Sequence, residues 1–307
     1  MPVISQPHEF NVPDLFVDLR PDIALYLKVE GLNFAGSVKL KAAAEMIAAA
    51  ERDRLLSPGA AIVESSSGNL GIALSLLALS RGYRFTCVTD LRCNNAAIRL
   101  MRVLGADVEV IDRPHPDSGF LGARLARVAE LCAAGTGYVW LNQYANEANW
   151  LAHYQTTGPE IIKSFPELDV LFVGTGTTGT LMGCARYLRE VKPSSRIVAV
   201  DAEGSVVFGG PAGSRLIPGI GAGVRPALLD ESFVDEVLFI SEADTVRECR
   251  SLAAQGFLFG GSTGTVISGA RAWLARNAHA RDLTAVAIAP DLGERYLDTV
   301  YARNWPI

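Results

Sequence analysis

Short runs that are apolar almost throughout alternate along this chain with longer stretches in which apolar residues recur every three or four positions. The first pattern predicts strands buried on both faces, the second helices with one covered side. Residues 60–65 (AAIVES) read as a strand and 69–82 (NLGIALSLLALSRG) as a helix. The alternation continues with a strand at 83–90, a helix at 94–105 that stops at Gly105, a strand at 106–112 and a helix at 120–134. A second group holds a strand at 168–174 (LDVLFVG), a helix at 178–191 and a strand at 195–201, and a further strand lies at 284–290 (TAVAIAP). This order predicts an α/β protein with mainly parallel sheets flanked by helices. Residues 136–150 interrupt the alternation. Two domains are therefore expected: a smaller one over 40–141, and a larger one from 1–39 plus 142–307. The stretch 202–235 is rich in Gly and Pro and reads as loop.

Composition narrows the function classes. A length of 307 residues suits two domains, and 49% hydrophobic with 20% charged residues is ordinary for a globular chain. A net charge of −5 with no Lys/Arg run argues against nucleic acid but leaves room for anionic small molecules at a locally positive site. The five cysteines (Cys87, Cys93, Cys132, Cys184, Cys249) form no CxxC and are odd in number, so no disulfide framework is expected. The four histidines are scattered without zinc spacing, so no metal is expected. The first ten residues, MPVISQPHEF, lack a signal-peptide pattern, and no uncharged apolar run suggests a membrane span. A cytoplasmic protein without a regulatory domain is the expectation.

Four segments carry candidate chemistry. GTGTTG (174–179) follows a strand and opens a helix, where bare N–H groups can cradle a phosphate. It also satisfies G-x-G-x-x-G, with Asp201 ending the next strand, so a nucleotide-dependent dehydrogenase competes at this point. ESSSGNLG (64–71) places Ser66, Ser67, Gly68 and Asn69 at another helix start, suited to a carboxylate or to ordinary capping. In NFAGSVKLKAAAEMI (33–47), Lys39 sits in the first turn of a helix beginning near Ser37, where the dipole helps keep an amine neutral. In FGGSTGTVISGA (259–270), Gly260 and Gly261 allow close backbone approach and Ser262 is expected to cap a helix.

Together, in this order and spacing, the four segments resemble the cysteine synthase and cystathionine β-synthase family of fold type II pyridoxal-phosphate enzymes, which share the tryptophan synthase β-like fold. The resemblance runs from about Val29 to Tyr301. It implies that Lys39 carries pyridoxal 5′-phosphate as a Schiff base and that Asn69 meets the cofactor's ring oxygen. It further implies that Gly176, Thr177, Thr178, Gly179 and Thr180 cradle the phosphate and that Ser262 faces the ring nitrogen. Ser66, Ser67, Gly68 and Gln143 would hold the substrate carboxylate, with Tyr144 and Gly219 shaping the pocket. The dehydrogenase reading leaves Lys39, SSSGN and GGST unexplained.

Within the family the likeness is nearest to a subgroup serving 2,3-diaminopropionate and siderophore biosynthesis, on SSSGNLGIAL, LNQYANEANW, DAEGSVVFGG, PGIGAGVRP and PDLGERYLDTVY. Leu70 follows the Asn, where common cysteine synthases have Thr. The subgroup implies β-replacement on O-phospho-L-serine with L-glutamate as the amine nucleophile, giving N-(1-amino-1-carboxy-2-ethyl)-glutamate. Lys39 would act as the general base, and Lys41, Arg215 or Arg225 would meet the leaving phosphate. Gly219 and Gly221 would give the backbone freedom as the smaller domain closes. A sulfhydrylase using sulfide, or a silent paralogue that only binds, remain the alternatives. The family also implies a homodimer. Two local departures stand out: Leu40 and Lys41 follow the lysine where Asp-Arg is usual, and RPDIALYLKVEG lacks the usual Gly-Asn-Thr-Pro-Leu.

Overall fold

The computed structural model describes residues 3–306 except 117, 136 and 278. In chain order the elements are β1 (Phe16–Asp18), β2 (Tyr26–Val29), α1 (Lys39–Arg52), β3 (Ala61–Ser65), α2 (Asn69–Arg81), β4 (Arg84–Asp90), α3 (Asn95–Val103), β5 (Asp107–Ile111), α4 (Gly119–Ala133) and β6 (Tyr138–Trp140). Then follow α5 (Ala148–Gln155), α6 (Thr157–Ser164), β7 (Val170–Gly174), α7 (Gly179–Val191), β8 (Arg196–Ala202), β9 (Glu236–Ile240), α8 (Glu242–Ala254), α9 (Gly261–Arg276) and β10 (Ala285–Ala289). The α/β architecture expected from the alternation is present.

The strands form two sheets. One has the order β5-β4-β3-β6 and is parallel throughout. The other has the order β1-β2-β10-β7-β8-β9, parallel except for the β1–β2 pair. In β7, Val170 and Phe172 pack with Val266, Ile267 and Trp273 of α9, whereas Leu171 and Val173 pack with Leu181, Met182 and Leu188 of α7. Each strand of this kind is covered on both sides, which is why its sequence is apolar without alternation. In the smaller sheet α2 supplies most of one face, and Val128 of α4 joins Val63 and Val88 on the other. No helix among the described residues is long and apolar enough to cross a membrane.

The hydrophobic pattern did not predict β2. Its sequence, YLKV, contains Lys28, which is 1% exposed yet lies in a buried strand. Lys28 is tolerated because its three amine protons meet Pro13 O at 2.7 Å, Glu30 Oε1 at 3.2 Å and Glu160 Oε2 at 2.8 Å. A buried cation persists only when its partners are also in place, and Glu160 is far away in sequence.

Candidate active site

In a parallel sheet, ligands settle beyond the carboxyl ends of the strands, where the strand order reverses. Here β3 leads to β4 on one side and has β6 on the other, and β7 leads to β8 with β10 on the other side. Both reversal points therefore project a strand-to-helix junction, β3–α2 and β7–α7. The two junctions border one cavity, joined by the starts of α1 and α9.

At the first junction, Gly68 takes φ +151° and Asn69 begins α2. The Ser66 hydroxyl accepts N–H groups from Gly68 at 3.1 Å and Gly71 at 2.9 Å. Ser66 thus caps the helix from within the turn, and its own proton remains for a ligand. The Gln143 side-chain amide donates to Ser65 O at 2.7 Å, fixing that residue beside the junction. Asn69 is held at both ends of its amide: Nδ2 donates to Asp291 Oδ2 at 2.9 Å and Oδ1 accepts from Arg295 at 2.6 Å. Tyr296 also donates to Asp291. Behind the turn lies Glu64, fully buried, which accepts from Trp140, Ser65 N and Gln143 N. Burial outweighs those bonds and pushes its carboxyl up to about 7.

The second junction is open. Thr178 is the residue before α7 and takes φ +65°, a conformation that a β-branched residue adopts only under strain. It is buried, and its hydroxyl has no partner among the described residues. Thr177 accepts from Asn149 Nδ2 at 3.0 Å, and the same amide nitrogen donates to Gln143 O at 2.7 Å, tying the two junctions together. A Cβ on Gly179 would fall 2.1 Å from Asn149 Oδ1. A Gly-rich turn with N–H groups and a buried hydroxyl unmet among the described residues, at a helix start, is suited to cradle an anion.

Lys39 is the first residue of α1. Val38 N donates to Pro290 O at 2.7 Å, which pins the helix start to the end of β10. Burial pushes the Lys39 amine down to about 8, with Asp291 opposing it, so a useful fraction is neutral near neutral pH. Ser262 borders the same cavity. It is not the cap of α9, contrary to the sequence expectation. That position belongs to Gly260, and Ser262 lies in the first turn without a capping bond. Gly219 arches over it at φ +92°, and a Cβ there would stand 2.9 Å from Ser262 Oγ.

Lys39, Ser66, Ser67, Asn69, Gln143, Tyr144, Gly176, Thr177, Thr178, Gly179, Thr180, Gly219 and Ser262 thus share one cavity, and Gly68 borders a recess beside it. Of the three cations expected near a leaving phosphate, Arg215 lines the outer extension of the cavity. Lys41 instead pairs with Glu30 at 3.0 Å and Glu160 at 2.7 Å, and Arg225 is exposed and pairs with Glu231 at 2.6 Å. Pattern reading missed Arg92 and Arg124, which line the outer extension with Arg215, Ser67 and Tyr144. A signal existed: Arg124 falls on the covered face of α4, where a charged side chain is uncommon. Its Nε lies 3.2 Å from Asp90 Oδ2 without hydrogen-bond alignment, and its Nη1 has no partner among the described residues. Arg92 donates to both oxygens of Asp90. Arg215 donates to Ile220 O at 2.9 Å and meets no carboxylate at ion-pair distance among the described residues. The outer extension is therefore cationic.

Comparison with known proteins agrees with this geometry. A family described as pyridoxal-phosphate dependent enzymes matches residues 11–291. The chain is 41% identical over 283 residues to the N-(2-amino-2-carboxyethyl)-L-glutamate synthase of Ralstonia nicotianae, covering 92% of this chain and 83% of that protein. It resembles the crystal structure of an O-ureido-L-serine synthase with a TM-score of 0.91 at 31% identity, covering 100% of this chain and 98% of that one. It also resembles an O-acetylserine-dependent cystathionine β-synthase from Helicobacter pylori, with a TM-score of 0.88 at 29% identity over 97% and 98% of the two chains. The open cradle, the depressed lysine amine and the hydroxyl of Ser262 all fit the cofactor of that group. The chain belongs to the pyridoxal-phosphate dependent enzyme family, and pyridoxal phosphate is its cofactor.

Proposed function

We propose that this enzyme joins O-phospho-L-serine to L-glutamate by β-replacement, forming N-(2-amino-2-carboxyethyl)-L-glutamate. The observation that carries this reading is the cationic extension lined by Arg92, Arg124 and Arg215, with Asp90 the carboxylate that lines it among the described residues. A phosphorylated donor and a dicarboxylate acceptor together bring several negative charges, whereas sulfide would need no such wall. The Ralstonia nicotianae relative, named for the same product, supports it.

In this reading the start of α7, Gly176 to Thr180, holds the cofactor phosphate, while Asn69 and Ser262 meet the ring. Bound pyridoxal phosphate supplies the electron sink that lets the α-proton and the β-substituent of the donor depart. Ser66, Ser67, Gly68 and Gln143 bind the donor carboxylate at the dipole end of α2. Lys39 Nζ removes the α-proton and later returns one, and its lowered pKa suits both directions near neutral pH. Ser262 offers a hydroxyl rather than a carboxylate, so it does not hold a proton on the ring nitrogen. Tyr144, half-buried between the inner cavity and the arginines, separates donor from acceptor.

The segment 40–141 closes over the donor, with Gly219 and Gly221, both at positive φ, on the opposite wall. The product suits a 2,3-diaminopropionate route toward a siderophore. The free state of all five cysteines suits the cytoplasm, and the family likeness carries a homodimer.

The test is mass spectrometry of products from cofactor-loaded protein given O-phospho-L-serine with glutamate and sulfide in competition. A condensed serine–glutamate product is expected. Cysteine as the sole product would overturn the assignment in favour of a sulfhydrylase.

A further inference from the structure

The departure at Lys41 has a structural counterpart in a buried chain of polar side chains reaching from α1 to the start of α7. Lys41 Nζ has three protons and three acceptors: Glu30 Oε1 at 3.0 Å, Glu160 Oε2 at 2.7 Å and Thr157 Oγ1 at 3.2 Å. Burial works against its charge, but Glu30 and Glu160 outweigh burial and hold its pKa above the ordinary lysine value. Thr157 Oγ1 lies 3.0 Å from His153 Nδ1, and His153 Nε2 lies 3.2 Å from Thr180 Oγ1. Thr157 is 0% and His153 1% exposed.

The direction of every bond follows from donor chemistry. An ammonium only donates, so Thr157 accepts from Lys41 and its own proton is free for His153 Nδ1. Burial, with Lys41 and Lys39 adding to it, holds the His153 pKa well below its ordinary value, so the ring is neutral. A neutral ring that accepts at Nδ1 carries its proton on Nε2 and donates it to Thr180. Thr180 Oγ1 then accepts within the protein, and its own proton is left for the cavity that it borders.

We propose that Lys41, Thr157 and His153 are positioning residues whose one-way chain of hydrogen bonds keeps the Thr180 hydroxyl a donor toward the anion at the start of α7. The proposal rests on the assignment of that cradle to the cofactor phosphate. With the opposite polarity Thr180 would turn a lone pair toward the phosphate and repel it. The usual Asp-Arg pair after the lysine would instead present a carboxylate at 40, which only accepts, and at 41 a planar guanidinium in place of the compact ammonium that meets Glu30, Glu160 and Thr157 here.

The test compares apoenzyme affinity for pyridoxal phosphate and for pyridoxal, which lacks the phosphate, by absorbance titration. Thr180→Val weakens pyridoxal phosphate binding about tenfold, the scale of a lost hydrogen bond to a charged group, and leaves pyridoxal within about twofold. Thr157→Val gives the same split, and Thr157→Ser restores the original affinity. Equal weakening of both ligands by Thr157→Val, or none while Thr180→Val retains the split, overturns the relay. Absence of a split in Thr180→Val overturns the cradle assignment itself. Nitrogen-15 NMR of the intact holoenzyme reads the same point without a variant: His153 must be the Nε2–H tautomer, and a proton on Nδ1 overturns the proposal.

Discussion

The β3–α2 and β7–α7 junctions are built from the same few residue types, stand at equivalent reversal points and face one cavity, yet they end differently. At α2 the Ser66 hydroxyl consumes two backbone N–H groups and a buried carboxyl, Glu64, stands behind the turn. At α7 the turn leaves its N–H groups and the Thr178 hydroxyl without partners among the described residues, and the positions behind it, Phe172 and Val173, are apolar. A closed junction presents a few selected donors and suits a small carboxylate that comes and goes. An open one keeps its full positive end for a permanent dianion. Under the proposed function the same local sequence grammar would serve turnover at one junction and retention at the other, and the difference lies in what each turn has already satisfied internally.

Filling the open junction is expected to have the largest effect. Gly179→Ala drives a methyl into Asn149, which holds both Thr177 and Gln143. Cofactor affinity should fall about 100-fold in an absorbance titration, the scale of a ~3 kcal/mol steric cost. Unchanged affinity would mean that the anion is held elsewhere.

The closed junction should reveal itself through pH. Glu64 has a folded-state pKa near 7 against 4.5 for the free group. A raised acid disfavours the folded state once ionised, so stability is intact below about pH 4.5, declines as pH rises toward 7 and is level above that. The total is on the order of 3 kcal/mol. Glu64→Gln removes the decline, so the difference in melting temperature between variant and parent grows across that window. A constant difference would show that Glu64 titrates normally.

The smallest contrast compares the two hydroxyls directly. Ser66→Ala leaves two N–H groups unmet and lowers stability by about 1–2 kcal/mol in urea unfolding. Thr178→Ala removes a hydroxyl with no partner among the described residues and changes apoprotein stability by less than ~0.5 kcal/mol. Equal losses would erase the distinction between the junctions.

Much of this was legible in the chain. The run from β3 to α4 and the β7–α7–β8 unit follow from hydrophobic period alone, and the four Ser/Thr/Gly segments with Lys39 converge on one cavity. What escaped did so for a common reason: its stability depends on partners distant in sequence. β2 hid because Lys28 breaks its apolar run, and the partners that make that lysine acceptable include Glu160, far away in sequence. α5 and α6, which lie almost wholly beyond the interruption at 136–150, were not predicted, because His153, Thr157 and Glu160 place polar groups where a helix would show an apolar stripe. Asp291 and Arg295, which orient Asn69, follow the last strand over two hundred residues later. Ser262 had the residue type of a cap but not the position.

Lys28, Glu30, Lys41 and Glu160 form a buried quartet in which each amine touches both carboxylates. Removing any one leaves the remaining, largely buried charges unbalanced. The four positions therefore behave as a single heritable letter: drift at one is blocked unless another changes with it. A chimaera that takes residues up to 100 from this chain and the remainder from a relative lacking an acid at position 160 would inherit three of the four parts of that letter, two amines against one carboxylate, and fail to fold.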